Sequence, residues 1–456
     1  MVIKDIGGKP MTAIVVFALC IEYIKDQVSD EVKGAIHGLD DDDIHWVVTV
    51  PAIWNEQARQ FMIEASAKAG IDKDNLTLAL EPECAAMFCR YLAIYKSSKD
   101  HEMDLKAFDE NSRFMVVDLG GGTIDITLSE VLPSGQLKEI YNATGGPWGG
   151  NYINEQIIET LKHVIGWKGM RKIRSDEYDE YLELLRNVEQ NKRGVEHDSE
   201  FSVIIPNELR GKIIVPESHN QNVRVEKEKY ITFSASLMRK IFSSSVDSMI
   251  KHVEDLLQKE ETCMVSTILL VGGYAASDMV QHGFREKFQK NYKIIIPATP
   301  DMVVLKGAVI TGHRVEAIVG RMAKYHYGLG LSTSAVSGRI ISIGEDEEKS
   351  FFSLIIKGQE IKVGDVVTQY EIVLKGNSRW ANLEMYTTNE NIPRKIINNE
   401  HFTKIGSIHV KLPQYKKESN LILTISYDET EFKVVATDKR TGRCFVGTCR
   451  FLEKQI

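Results

Sequence analysis

The sequence predicts an α/β fold that gives way to a β-rich tail. Three observations carry this. Short apolar runs that end at proline, glycine or an acid alternate with segments of helical period. Glycine clusters follow directly on several of those runs. Beyond about residue 330 the period falls to two and strand succeeds strand. The 456 residues are 43% hydrophobic and 26% charged, with a formal net charge of −8. This composition excludes a disordered, collagen-like or disulfide-scaffold chain. The acidic balance argues against nucleic acid as a partner.

The elements follow in order. Residues 1–30 read as a short lead and a buried helix through Ala13–Ile21, Glu22, Tyr23 and Lys25. That apolar stretch is far short of the ~20 residues a bilayer span needs, so no membrane role is expected. Asp40–Asp43 reads as a solvated loop. Trp46–Val50 is a buried strand stopped by Pro51. Asn55 can cap a helix carrying Ala58, Phe61, Met62, Ala65 and Ala69, with Gly70 closing it. A second strand, Leu76–Leu80, runs into Glu81-Pro82 and another helix. Residues 96–112 read as a surface excursion. Phe114–Val117 is a strand ending at Asp118, and Ile124, Ile126 and Leu128 mark its successor. Residues 152–260 read as mostly helical, with β-rich material around Phe201–Val215, and Ile268–Val271 as a buried strand. In the tail, Ser353–Ile356, Val366–Leu374 and Leu421–Tyr427 read as strands, with turns at Lys357-Gly358 and Thr441-Gly442. A boundary falls at about 320–350, where Glu345–Glu348 supply a charged loop. None of the six cysteines forms a C-x-x-C pair, so neither a zinc site nor a dithiol redox motif is suggested. Reduced thiols in a cytoplasmic protein are the expectation.

The chemistry concentrates in Asp118-Leu-Gly-Gly-Gly-Thr-Ile-Asp125. A strand carries Asp118 to its tip. Gly120, Gly121 and Gly122 then turn the chain where backbone N–H groups can approach an anion. Asp118 can hold a hydrated Mg²⁺ beside a phosphate, with Thr123 and Asp125 nearby. The competing reading is a glycine-rich hairpin with acids facing solvent. Glu81 precedes Pro82 at a helix start, where the helix dipole alone would favour an acid. Glu189, Lys192 and Arg193 share one helix face at i, i+3 and i+4, which commonly means a solvated salt-bridge face. Gly272-Gly273 permits close backbone approach, or only a turn.

In these segments the chain resembles the heat-shock protein 70 family, within the actin-like ATPase fold of two ribonuclease-H-like lobes. Asp118–Asp125 is similar to the family's phosphate-binding hairpin. Val47-Val48-Thr49-Val50-Pro51-Ala52 resembles its strand before the long helix, and Ala79-Leu80-Glu81-Pro82-Glu83-Cys84-Ala85-Ala86 its Asn-Glu-Pro-Thr-Ala-Ala motif. Ala143–Gly150 stands where the family has a glycine-rich loop, and Val188–Arg193 where a helix grips adenosine. Val271-Gly272-Gly273 and Pro300-Asp301 through Gly307-Ala308 complete the series. The Gly-Gly-Pro-Trp variant resembles the divergent heat shock 70 kDa protein 12A/12B branch.

The resemblance implies an ATP- or ADP-binding protein with Mg²⁺ at Asp118. Glu81, Asp118 and Asp125 are then catalytic. Gly120, Gly121, Gly122, Thr123, Gly145, Gly146, Glu189, Lys192, Arg193, Gly272, Gly273 and Asp301 are then nucleotide-binding. It implies a nucleotide-binding domain over 1–325, with 1–112 a partial first lobe and 113–325 the second. Residues 326–456 resemble the peptide-binding β-sandwich without its helical lid, and Phe432–Gly442 is similar to a strand-turn of that domain. Client or unfolded polypeptide is the implied partner.

The sequence also departs from the family pattern. The Asp-Gly-Thr-Thr hairpin of the family is not found before Trp46, and the catalytic lysine after it has no counterpart. The first lobe is therefore expected to be incomplete, with weak ATP affinity and impaired hydrolysis, unless the chain is a truncated gene model. Tyr274, Ala276 and Glu196 replace residues of the adenine pocket, which predicts a reshaped pocket. A non-catalytic nucleotide-sensing scaffold that regulates a protein partner is the alternative. A sugar kinase would need a separate substrate acid, and nothing marks a filament interface.

Overall fold

The computed structural model describes residues 1–5, 8–97, 108–213, 215–217, 221–313, 318–331, 333–337, 340–343, 350–362, 365–375, 380–390, 397, 401–411, 418–428 and 431–448. Of the segments read above, 98–107 and Glu345–Glu348 lie outside these residues. The chain gathers into two compact units. One comprises 1–80, 132–142 and 308–456, and the other 81–131 and 143–307.

In the first unit, Trp46–Val50 and Leu76–Leu80 pair in parallel around the helix Glu56–Lys68. Asn55 Oδ1 accepts from the Ala58 amide at 2.9 Å, the expected cap. Gly70 follows at φ +82°, a left-handed stop. The helix Ala13–Ala35 forms, but it is not buried. Only Ala13, Ala18 and Ser29 are enclosed, while Leu19, Tyr23, Ile24 and Val28 are exposed. Phe17 meets Phe61 edge-on at 5.2 Å, so the helix packs one stripe against its neighbour. An apolar sequence run sets a helix's hydrophobicity, not how many neighbours cover it.

The tail holds two antiparallel-rich sheets. One runs in the order Ser350–Ile355, His326–Leu331, Trp380–Thr388, Thr403–Lys411. The other runs Thr333–Ser337, Ile340–Ile343, Val366–Lys375, Glu418–Asp428, Glu431–Asp438, Cys444–Thr448. Leu329, Leu383 and Ile408 of the first share a core with Ile372, Leu423 and Val434 of the second. Alternate residues point to one face, and Leu421, Leu423 and Ile425 are all buried. The turn glycines Gly358 and Gly442 have φ of +79° and +68°.

The second unit is built on a sheet with the order Lys293–Ile295, Val265–Val271, Arg113–Leu119, Ile124–Val131. Val265–Val271 lies parallel to Arg113–Leu119. Arg113–Leu119 is antiparallel to Ile124–Val131, in a register that sets Asp118 opposite Asp125. Phe114, Met115, Val116 and Val117 are fully enclosed, as an apolar run without alternation predicts. Around the sheet stand the helices Glu81–Ser97, Gly150–Ile165, Trp167–Asp176, Tyr178–Arg193, Ala235–Leu257 and Asp278–Phe288. The β-rich insert is a small sheet of Phe201–Ile204, Tyr230–Phe233 and Val223–Glu226. Sequence reading located its first strand and missed the other two.

Candidate functional site

The hairpin turn at 120–123 sits where two strands end. Gly120 N donates to Thr123 O at 3.1 Å, closing the turn. Thr123 Oγ1 donates to Asp125 Oδ2 at 3.3 Å. The next helix is fastened to the turn by its first residues. Gly150 N donates to Gly120 O at 3.1 Å, and Asn151 N to Gly121 O at 2.7 Å. The two glycine-rich segments, bonded through Gly120 with Gly150 and Gly121 with Asn151, are thereby one substructure.

Gly272 closes the cradle from the other side. Its φ is +87°, and a Cβ there would lie 2.5 Å from Asp118 Oδ1 and 2.6 Å from Leu119 O. Only glycine fits this conformation and this approach. Gly272 N donates to Pro300 O at 2.9 Å, which ties the Asp301 segment to the same strand end.

Three carboxylates converge electrostatically here. Asp118 and Asp125 are both buried. Burial, and then the charge of Asp125, pushes the Asp118 carboxyl up to about 7. Burial, and then the charges of Asp118 and Asp125, pushes Glu81 up to about 8. Glu81 opens the helix Glu81–Ser97, which is held by a close approach at Gly307. A Cβ on Gly307 would lie 1.8 Å from Cys84 O. Among the described residues no three His, Cys, Asp or Glu side chains are close enough to chelate a metal between them. The set suits a hard cation that keeps its waters and leans on one or two carboxylates, as Mg²⁺ does.

Beside the hairpin, within the same unit, lies a pocket of about 290 Å³. Its lining includes the ionic side chains Glu189, Lys192 and Arg193, with Asn151 and Gly121. It is also lined by Phe242, Gly273, Tyr274, Ala276, Ser277, Ala298, Thr299, Pro300 and Asp301. Within the ionic trio Lys192 is buried and Glu189 half-buried, while Arg193 is exposed. Glu189 accepts from Lys192 Nζ at 2.7 Å, Asn154 Nδ2 at 2.8 Å and Arg193 Nε at 2.8 Å. Burial opposes its charge, but these hydrogen bonds outweigh it and hold the carboxyl down to about 2. Lys192 is only 6% exposed, and its Nζ also donates to Gly150 O at 2.9 Å. The lysine thus pins the helix Tyr178–Arg193 to the start of Gly150–Ile165.

The aromatic wall is also braced. Tyr274 is buried, and its hydroxyl lies 3.3 Å from Ser245 Oγ, which donates to Trp148 O at 2.7 Å. Burial pushes the phenol up, partly offset by Ser245, so it stays neutral.

The structure gathers Gly121, Glu189, Lys192, Arg193, Gly273 and Asp301 at the pocket. Asp118, Gly120, Gly122, Thr123 and Asp125 lie on the adjoining hairpin, with Gly272 against Asp118. Gly145 and Gly146 instead meet the Ile124 carbonyl and the Trp148 ring and do not line the pocket. Sequence reading did not find Asn151, Asn154, Phe242, Ser277 or Thr299. Asn154 carried a signal, being a polar residue beside the buried Ile153 of an otherwise apolar helix face. A second pocket, of about 380 Å³ in the first unit, is lined by Asn55, Tyr325, Thr388, His401 and Thr403 among others. It contains none of the predicted residues.

Fold and site together define a mixed α/β protein with glycine-turned carboxylates beside a half-ionic, half-apolar pocket. Residues 1–319 match the family model described as Hsp70 protein. The chain belongs to the Hsp70 family of ATP-binding proteins, whose fold is that of the actin-like ATPases. It is 26% identical to the heat shock 70 kDa protein 12A of Mus musculus, over 96% of this chain and 75% of that protein. With the heat shock 70 kDa protein 12B of Homo sapiens the identity is 24%, over 99% and 77%. The chaperone protein dnaK of Cyanidium caldarium is 26% identical over 64% of this chain and 43% of its own length. The chain therefore sits on the 12A/12B-like side of the family.

Proposed function

We propose that this chain binds ATP or ADP with Mg²⁺ in its second unit. The phosphates lie over the 120–123 hairpin and the nucleoside in the 290 Å³ pocket. The observation that carries this is the adjacency of the two subsites. Asn151 N bonds the hairpin carbonyl of Gly121, and both Gly121 and Asn151 line the pocket. Asp118 and Asp125 would hold the hydrated metal, which would supply charge neutralisation at the phosphates. Glu81 would orient a water. Glu189 and Lys192 would face the sugar, and Arg193 the base. Buried polar atoms without partners among the described residues support a missing ligand, namely Asn154 Oδ1 and Ser277 Oγ.

In this reading residues 1–325 form the nucleotide-binding domain, with 1–112 in its first lobe and 113–325 in its second. Residues 326–456 form the β-domain that meets client polypeptide, and the chain acts as a chaperone or chaperone relative in the cytoplasm. Calorimetry of the full chain with ATP, with and without Mg²⁺, tests the proposal. Mg²⁺-dependent binding weakened by Glu81→Gln with Asp118→Asn supports it. A folded protein that takes no nucleotide overturns it.

A further inference from the structure

Resting on the nucleotide reading above, we infer that Ser277 is the residue that reads the polar edge of the base. Ser277 stands at the N-cap of the eleven-residue helix Asp278–Phe288. Serine there ordinarily accepts a hydrogen bond from the second or third helical amide. This one does not, for no side-chain cap bond forms. Its backbone is otherwise fully engaged. Ser277 N donates to Tyr274 O at 3.1 Å, and Ser277 O accepts from Gln281 N at 3.0 Å. The side chain is idle by contrast. Ser277 is 7% exposed, and its Oγ has no hydrogen-bond partner among the described residues. A buried hydroxyl left unsatisfied is destabilising, and it calls for a partner.

The location says which. Ser277 lines the pocket together with Phe242, Tyr274, Ala276 and Ala298. Flat aromatic and small apolar surface suits a heterocyclic ring, and a hydroxyl that both donates and accepts suits the ring's polar edge. The phosphates belong at the other end, on the hairpin. Ser277 therefore contributes to base binding and not to phosphate binding.

The test is calorimetric titration of the full chain with Mg²⁺-ATP and, separately, with Mg²⁺-tripolyphosphate, which has no base. Wild type, Ser277→Ala and Ser277→Thr are compared, and the thermal midpoint of each ligand-free protein is measured. Ser277→Ala is expected to weaken ATP about three- to tenfold, the range one net hydrogen bond spans. Tripolyphosphate affinity stays unchanged, the ligand-free midpoint does not fall, and Ser277→Thr, which keeps the hydroxyl, recovers ATP binding. Equal ATP affinity in wild type and Ser277→Ala overturns the inference alone, as does an equal loss for both ligands. Wild type that binds neither ligand overturns the nucleotide reading and this inference with it.

Discussion

Replacing Lys192 by methionine should destabilise the second unit by about 2 kcal/mol. Methionine keeps most of the unbranched stem and removes the ammonium. The native Nζ lies 2.7 Å from Glu189 Oε2 and 2.9 Å from Gly150 O, on a side chain only 8% exposed. Breaking a fully buried pair costs about 3–5 kcal/mol, because the abandoned charge stays desolvated. Glu189 is about one-third exposed and keeps Asn154 and Arg193, which lowers that figure. Leaving the Gly150 carbonyl without this donor adds about 1 kcal/mol. Urea unfolding followed by circular dichroism reads the result as a lower midpoint at unchanged slope. A double-mutant cycle with Glu189→Gln should return a coupling of about 1–2 kcal/mol. A loss below about 0.5 kcal/mol with no coupling would refute the reasoning, since the lysine would then be neither buried nor pinning two helices.

Three further outcomes follow from the same geometry. Glu189 titrates near 2 folded, against 4.5 unpaired, so the stability it contributes is complete above about pH 4.5 and is lost as pH falls toward 2. Glu189→Gln should accordingly flatten the acid limb of a stability–pH curve, and an unchanged limb would contradict the pairing. Asp118 is raised to about 7 by burial and Asp125, so ligand-free protein loses stability as pH rises from 3.8 through 7. Asp118→Asn should therefore raise the thermal midpoint at pH 8 without Mg²⁺ while abolishing the Mg²⁺ dependence of ATP binding, and a lowered midpoint would count against carboxylate repulsion. Gly272→Ala should cost about 2 kcal/mol or more, from a left-handed φ of +87° and a clash with the Leu119 carbonyl at 2.6 Å. A chain that tolerates alanine there, by denaturant midpoint, would show that the approach to Asp118 is looser than described.

Much of this was readable in the sequence where a local rule and the tertiary structure agree. Asn55 caps because an asparagine before an amphipathic run has few better options. Phe114–Val117 is enclosed because an unbroken apolar run fits only a strand covered on both faces. The Asp118–Asp125 hairpin was legible because glycines and acids at fixed offsets dictate both a turn and a register. Other features depend on partners distant in sequence. The burial of Lys192 is set by Gly150, 42 residues away, so i, i+3, i+4 spacing alone suggested a solvated face. The exposure of Leu19, Tyr23 and Ile24 reflects how few neighbours cover that helix, which its own residues do not encode. Gly145 and Gly146 were assigned to a phosphate loop by resemblance alone, and in the structure they approach the Ile124 carbonyl and the Trp148 ring. Ser277 was not singled out, because its missing cap bond is visible only once the helix start is built.

The central claim is that nucleotide sits across the 120–123 hairpin and the adjoining pocket. Hydrogen–deuterium exchange of the full chain, with and without Mg²⁺-ATP, tests it most directly. The account predicts slowed exchange confined to 119–124, 149–154, 188–194, 272–278 and 298–302, the segments that form hairpin and pocket. Protection centred instead on 387–390 and 401–405, which line the pocket of the first unit, would contradict it. So would saturating Mg²⁺-ATP that protects neither region.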